Sequence, residues 1–285
     1  MRKHIVIIAE KTQAAEKIAL ALSNRTAKII IKKPTKVFEF HLNNAICRVV
    51  GTGGHLYTTE FTKRVHEKPW HKVNPKYLLT KAPLTKIIRS ESRKIVGLLK
   101  FILRKADEVI IATDFDREGE NIGAQVVQFI ISKIPRRIKV RRAIFSSLVK
   151  KELIRAFKPE NLVGLNHNMI EASEVRQELD LRYGVAFTRL ATMHLHRRFS
   201  HYNLSLLSVG PCQTPTLGLI VERYKQHLKS VDEASKKIRY RIVASVEING
   251  FTIELKSRGT FDTLNDARSL ISKISGKDMV ITDIN

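Results

Sequence analysis

Cysteine is nearly absent: Cys47 and Cys212 are the only two in 285 residues. Neither a disulfide framework nor a cysteine-rich zinc module can be built from them. Aromatic residues are sparse at 7%, with a single Trp. No apolar run approaches the roughly 20 residues that a bilayer span needs. The N-terminus, Met1-Arg2-Lys3-His4, leads straight into a strand-like segment and lacks the small-residue cleavage site of a signal peptide. Acidic residues are also short, with 27 Asp+Glu against 51 Lys+Arg, for a formal net charge of +24. There is no internal repeat and no low-complexity tract. An intracellular chain with a polyanionic partner is expected, cytoplasmic and nucleoid-associated if prokaryotic, with nucleic acid favoured over a membrane surface. What is present is 43% hydrophobic residues, enough for a sizeable core in one large or two modest domains.

The remaining acids are not scattered evenly. Val109 to Ala112 is a short continuous apolar run, as in a strand buried on both faces. Asp114, Asp116 and Glu118 follow, and Asn121 to Ile131 then carries helix-like apolar spacing. In an extended chain, alternate residues share a face, so these three carboxylates are expected to converge. Oxygen-only ligands favour a hard cation, Mg²⁺ first. Arg117 between the acids suggests a phosphate nearby. An acidic turn capping the next helix is the plainer alternative.

His4 to Glu10 reads as a second buried strand, and Thr12 is placed to cap a helix striped by Ala14, Ile18, Ala19 and Leu22. Ligand sites of doubly wound sheets form at the C-terminal strand ends, so Glu10 is expected to face the acidic cluster. Thr26 to Lys32, Lys36 to Leu42 and Ala45 to Val50 look like strands, with Asn43-Asn44 as a hairpin turn. Gly51-Thr52-Gly53-Gly54-His55-Leu56 follows as a glycine-rich loop suited to close backbone approach.

Phe61 to Thr80 reads as loop and Thr85 to Lys105 as one long basic helix. Lys133 to Arg142 holds six basic residues and no acid, before a strand expected over Val140 to Phe145. Ser146-Ser147 is placed to cap a helix over Leu148 to Phe157. Pro159 to Asn166 reads as a linker. Asn168 to Arg198 is helical, with charge pairs such as Glu178 and Arg182 four apart. Gly210-Pro211 is a sharp turn before another helix, whose N-terminus, near Ser, Gln and Thr, is a ready phosphate site. From Ile238 the texture changes to strands, Arg239 to Val246 and Phe251 to Ser257 around an Asn249-Gly250 turn, then a helix over Thr263 to Ile274 and a strand over Met279 to Ile284.

Three strings carry a family resemblance. Thr113-Asp114-Phe115-Asp116-Arg117-Glu118-Gly119-Glu120-Asn121-Ile122-Gly123 resembles the acidic motif of the toprim domain of type IA DNA topoisomerases, most closely the topoisomerase III branch. Arg176-Gln177-Glu178-Leu179-Asp180-Leu181-Arg182 is similar to a segment of the same branch, as is Ser208-Val209-Gly210-Pro211-Cys212-Gln213-Thr214-Pro215-Thr216-Leu217-Gly218. Glu10-Lys11 resembles the end of the family's first strand, although Thr12-Gln13 stands where Pro-Ser is common. Many bacterial relatives have Arg where Pro211 stands.

The resemblance implies a Rossmann-like α/β toprim domain with a mainly parallel sheet over residues 1–158. A helical DNA-binding domain over 159–235 and the beginning of a β-rich gate domain over 236–285 would follow. It implies single-strand transesterification, with Glu10 as general acid, Lys11 and Arg117 stabilising charge, and Mg²⁺ held by Glu10, Asp114, Asp116 and Glu118. DNA contacts are implied for His55, Arg176, Ser208, Val209, Gly210, Pro211, Cys212 and Gln213, with Asp180 orienting an arginine. The family's nucleophilic Tyr sits in a Tyr-x-Arg-Thr-like motif. None of Tyr57, Tyr77, Tyr183, Tyr202, Tyr224 and Tyr240 has that context. The expectation is therefore half an active site, either a fragment or one subunit of a split enzyme, with Met1 favouring a separate gene product and a Tyr-bearing chain as partner. The unfinished gate domain is expected to leave strand edges that need covering. A Mg²⁺-dependent toprim nuclease and a non-catalytic DNA-binding module are the rival readings.

Overall fold

A computed structural model of the chain describes residues 2–199, 206–234, 238–248 and 250–277. It divides into two compact units, Met1–Pro211 and Cys212–Asn285.

The first unit opens with β1 (Lys3–Ala9) and α1 (Thr12–Leu22). β2 (Lys28–Ile31), β3 (Val37–Leu42) and β4 (Ala45–Gly51) follow, β3 and β4 joined through Asn43 in the left-handed region. β5 (Tyr57–Phe61) leads into α2 (Lys63–His66) and α3 (Pro75–Thr80), the latter capped by the Asn74 side chain with Pro75 at its first position. This corrects the loop expected over Phe61 to Thr80. The helices there are too short to show periodicity, but they bury Val65 and Leu78, and Val73 between them is buried as well.

The long helix expected from Thr85 is also corrected. It begins instead as β6 (Leu84–Ile88), paired antiparallel with β5, and the helix proper, α4 (Arg93–Leu103), starts after a single turn at Ser90–Ser92. Leu84, Lys86 and Ile88 are less exposed than Thr85 and Ile87, the two-residue period of a strand. β7 (Glu108–Ala112), α5 (Arg117–Phe129), β8 (Lys139–Arg142), α6 (Lys150–Ala156) and the 32-residue α7 (His167–Arg198) complete the unit's regular elements.

The main sheet has the order β2-β3-β4-β1-β7-β8. β4, β1, β7 and β8 run parallel, and β2 and β3 form an antiparallel edge. This is the mainly parallel, Rossmann-like arrangement that the sequence implied. Each central strand feeds two cores. Val6 and Ile8 of β1, with Val109 and Ile111 of β7, pack on the α4–α5 side. Ile7 and Ala9, with Ile110 and Ala112, pack on the α1–α6 side. Continuous apolar strands therefore reflect a sheet covered on both faces. A third core joins β5, α3 and α7 through Phe61, Leu78 and Ala186. Hence α7 lies in the same compact unit as the sheet.

The second unit holds α8 (Gln213–Ala234), the antiparallel ribbon of β9 (Val243–Ile248) and β10 (Phe251–Lys256), and α9 (Leu264–Ile274), capped by Thr263. Both ribbon strands have an unpaired edge in their two-stranded sheet. Asn249, Tyr202 and the strand expected over Met279 to Ile284 lie outside the described residues. No described helix is long and apolar enough to cross a membrane.

Candidate active site

The sheet register sets the site. Ala9 of β1 lies beside both Gly51 of β4 and Ala112 of β7, so Glu10, Thr52 and Asp114 emerge from neighbouring C-terminal strand ends. The glycine-rich loop then folds over the backbone of Glu10. Gly53 N–H donates to the Glu10 carbonyl at 2.8 Å, and Thr52 Oγ1 donates to it at 3.3 Å. A Cβ on Gly51 would stand 2.7 Å from Thr12 N, so this close approach requires glycine.

Glu10 meets the acidic stretch as expected. Lys11 Nζ stands 3.6 Å from Glu10 Oε1 and 3.6 Å from Asp114 Oδ2. Burial pushes the Glu10 carboxyl above the ordinary carboxylate range, and the charges of Asp114 and Asp116 add to that push, while Lys11 opposes it. Lys11 is raised in turn, chiefly by Glu10 and then Asp114. Lys11 itself, rather than Thr12, occupies the N-cap position of α1, and Thr12 Oγ1 meets Thr35 Oγ1 instead.

The extended chain, with its alternation of faces, ends at Ala112 with β7, so the three acids do not share one face. Asp116 N–H turns back to the Asp114 carbonyl at 3.0 Å, and Asp116 caps α5 by accepting from Gly119 N at 2.7 Å. Glu118 thus sits on the first turn of a helix, not on an extended face. Its Oε2 accepts from His55 Nε2 at 2.8 Å and from Ser173 Oγ at 3.2 Å. Glu10 and Asp114 gather around Lys11, with Asp116 near enough to act on Glu10, while Glu118 turns toward His55 and α7. Among the described residues, no three His, Cys, Asp or Glu side chains form a ready-made metal cage. The donor chemistry nonetheless suits a hard divalent cation: only carboxylate oxygens are involved, and Asp114 and Asp116 crowd Glu10 enough to raise it. Arg117 is exposed at the first position of α5, with no ion pair among the described residues.

Sequence reasoning missed what holds this loop. Arg142 is fully buried and pairs with Glu120 at 3.0 Å. Its guanidinium also donates to the carbonyls of Thr113 at 2.9 Å, Asp114 at 2.8 Å and Ala143 at 2.8 Å. Gly119 lies so close to the Asp114 carbonyl that any Cβ would overlap it. Gln125 plays the same part for His55. Its Oε1 accepts from Leu56 N at 3.0 Å and Tyr57 N at 3.1 Å, leaving Nε2 to donate to His55 Nδ1 at 3.0 Å. His55 Nδ1 is therefore an acceptor, and its Nε2–H points at Glu118. Both ring nitrogens of His55 are therefore engaged within the chain. Nothing local marks Arg142 or Gln125, because their partners lie 22 to 70 residues away.

Of the remaining expected DNA residues, Arg176 and Asp180 lie on α7, and Val209 packs along it. Arg176 and Asp180 pair at 3.7 Å, both half exposed. They border a cleft of about 430 Å³ together with His55, Glu118 and Arg89. Asp180 and Leu181 also line a second cavity of about 520 Å³, which reaches Trp70, Arg189, Ser208 and Val209. Val209 N donates to Thr188 Oγ1 at 2.9 Å and Leu207 N to Thr192 Oγ1 at 3.1 Å, which lays this segment along α7. The two cavities adjoin at Asp180 and Leu181, which line both, and together they form a groove along α7. The compact division falls after Pro211, so Ser208, Val209, Gly210 and Pro211 belong to the first unit, and Cys212 and Gln213 to the second, where Gln213 opens α8.

Comparisons with known proteins agree with this geometry. The model of the Toprim domain family matches residues 5–148, and that of a DNA topoisomerase family matches residues 164–285. DNA topoisomerase 3-alpha of Arabidopsis thaliana is 37% identical over 77% of this chain and 24% of its own length. DNA topoisomerase 3 of Caenorhabditis elegans is 32% identical over 93% of this chain and 36% of its own. DNA topoisomerase 1 of Archaeoglobus fulgidus is 34% identical over 94% and 37%. The chain thus spans a quarter to somewhat over a third of these relatives. Among solved structures, the G domain of T. maritima FeoB gives a TM-score of only 0.21 at 14% identity, over 55% of this chain and 99% of that one, and bears on nothing here.

Proposed function

Because the chain belongs to the type IA DNA topoisomerases, in their topoisomerase III branch, we propose that it supplies the acidic half of a strand-cleaving site and grips single-stranded DNA beside it. The observation that carries this reading is Lys11 Nζ at 3.6 Å from both Glu10 and Asp114, in the acidic stretch whose Glu118 lines the cleft along α7.

In this reading the nucleophile is a Tyr carried by a segment or chain other than the residues described. Tyr57, beside the groove, is buried, and burial raises its phenol above the ordinary range, which suits packing rather than attack. Attack of a Tyr oxygen on a phosphodiester forms a phosphotyrosyl bond and releases the 3′ oxygen. Glu10, raised by burial and by Asp114, delivers a proton to that oxygen and takes it back on rejoining. The Lys11 ammonium, 66% exposed, neutralises charge that develops on the phosphoryl oxygens, and Arg117, exposed at the start of α5, assists it. Mg²⁺, held by Glu10, Asp114 and Asp116, would supply charge neutralisation at the same phosphate. Arg176 meets the strand's backbone, aligned by Asp180.

The test mixes this chain with a polypeptide that bears the Tyr motif, adds labelled single-stranded oligonucleotide and stops with denaturant. A covalent adduct is expected, and Glu10→Gln should abolish it while oligonucleotide binding persists. Metal-dependent cutting by this chain alone, without adduct, would favour the hydrolytic toprim reading instead.

A further inference from the structure

Apart from Arg142, the basic run that begins at Lys133 has no part in the site just described, and the fold explains where it goes. The acidic cluster occupies the C-terminal ends of the parallel strands. Lys139 opens β8 and pairs in register with Glu108, the first residue of β7, so this run lies at the opposite edge of the sheet. A second basic stretch, Arg104-Lys105, precedes β7 at the same edge. The two are tied together: Arg136 donates to the Arg104 carbonyl at 3.4 Å and to Asp107 Oδ1 at 2.6 Å, and Lys139 N donates to the Asp107 carbonyl at 3.1 Å. The start of β1 joins them, because His4 N donates to Asp107 Oδ2 at 2.8 Å.

The acids present here are already committed. Asp107 is taken by Arg136 and His4, which hold its carboxyl below the ordinary range. Glu108 is fully buried, with its oxygens taken by Lys3 and Arg141. Arg2, Arg104, Lys105, Lys133, Arg137 and Lys139 are all exposed, and none forms an ion pair among the described residues. Six uncompensated cations on one rigid edge repel one another unless an anion lies across them.

We propose that this edge is a second nucleic-acid surface, which holds duplex DNA through its phosphate backbone. The proposal rests on the single-strand reading of the α7 groove only in assigning the two surfaces to different segments. β1 runs seven residues between the two edges, roughly 20 Å at ~3.3 Å per residue. That exceeds the screening distance of about 8 Å at physiological salt, so the edges act independently. Duplex is favoured over single strand because single-strand grips interleave cations with stacking rings. Phe101 is the one exposed ring in the stretches from Phe101 to Asp107 and Ile131 to Lys139. A topoisomerase that holds a duplex here, while one strand is opened at the far edge, has both DNA segments on one rigid domain.

The experiment compares the unaltered chain with an Arg104→Gln/Arg137→Gln/Lys139→Gln variant, and with a charge-retaining Arg104→Lys/Arg137→Lys/Lys139→Arg variant. Arg136 is left intact because it pairs with Asp107. Affinity is measured against salt for a blunt duplex and for a short single-stranded oligonucleotide. The slope of log K against log salt for duplex should fall by about 2.7, three lost phosphate contacts at ~0.9 each. The charge-retaining variant should keep the full slope, and the short single strand should bind all three proteins alike. An unchanged duplex slope overturns the proposal, as does an equal loss for both probes. Polyglutamate that displaces duplex from this edge at matched charge would identify an acidic protein partner and also overturn it. If the unaltered chain fails to bind the short single strand, the groove reading falls and the duplex arm still decides this one.

Discussion

Arg142 and Glu120 form an ion pair at 3.0 Å whose side chains are 0% and 1% exposed. The pair lies directly beneath the acidic loop, and the same guanidinium holds the carbonyls of Thr113 and Asp114. A buried charge stripped of its partner is costly, so Arg142→Ala is expected to lower unfolding free energy by about 3–5 kcal/mol. Arg142→Lys keeps the charge but loses the fork, and should fall between the two. Urea unfolding measures both, and wild-type stability in Arg142→Ala would remove the argument.

Gly119→Ala addresses loop geometry more narrowly. The added Cβ overlaps the Asp114 carbonyl, so the loop must shift while the sheet beneath stays. Misplacement of about 1 Å costs roughly 100-fold in rate. Adduct formation in the reconstituted reaction should drop on that order, with oligonucleotide binding retained. Gly97→Ala in α4 has open space around it, and should instead stabilise by about 0.4–1 kcal/mol.

Gln125→Leu should break the seat of His55. It leaves the buried N–H groups of Leu56 and Tyr57 without their acceptor, at about 1–3 kcal/mol each. Hydrogen exchange at these two amides should accelerate ahead of the rest of β5. Unchanged protection would show that Gln125 is dispensable there.

Glu152 governs an acid-labile contact. Hydrogen bonds from Ser147 Oγ and from Ser146 N and Oγ pull its carboxyl down to about 2. The unfolded chain binds that proton more tightly, so this contribution is complete above the ordinary value of 4.5 and is lost as pH falls toward 2. Thermal midpoints of the wild type and Glu152→Gln should differ at neutral pH and converge near the acid end. A constant gap would contradict the linkage.

Magnesium should stabilise the chain without any DNA. If Glu10, Asp114 and Asp116 hold it, saturation at 100 times Kd adds about 2.7 kcal/mol. Asp114→Asn should abolish the rise in thermal midpoint, and Glu118→Gln should weaken it far less, because Glu118 is engaged by His55 and Ser173. Equal effects of the two substitutions would put Glu118 back among the ligands.

Much of this protein was legible in one dimension. Runs such as Val109 to Ala112 announce a doubly covered sheet, and strand-end logic brings Glu10 to Asp114 across more than a hundred residues. The two failures along the chain have one cause. Leu84 to Ile88 and Pro75 to Thr80 are too short for a period to outweigh their basic surroundings, and only pairing with β5 and packing against α7 give them their form.

Chemistry and the ends of the central strands were decided by the sequence itself: which residues are acids, where β1 and β7 stop, and how far positive charge exceeds negative. Tertiary structure alone decided which acids meet. The chain turns at Asp116 into a helix, so Glu118 leaves the cluster for His55, while Arg142, an unremarkable member of a basic run, becomes the anchor of the loop. Side-chain direction after a turn depends on backbone torsions and on partners dozens of residues away, and neither is encoded in local spacing.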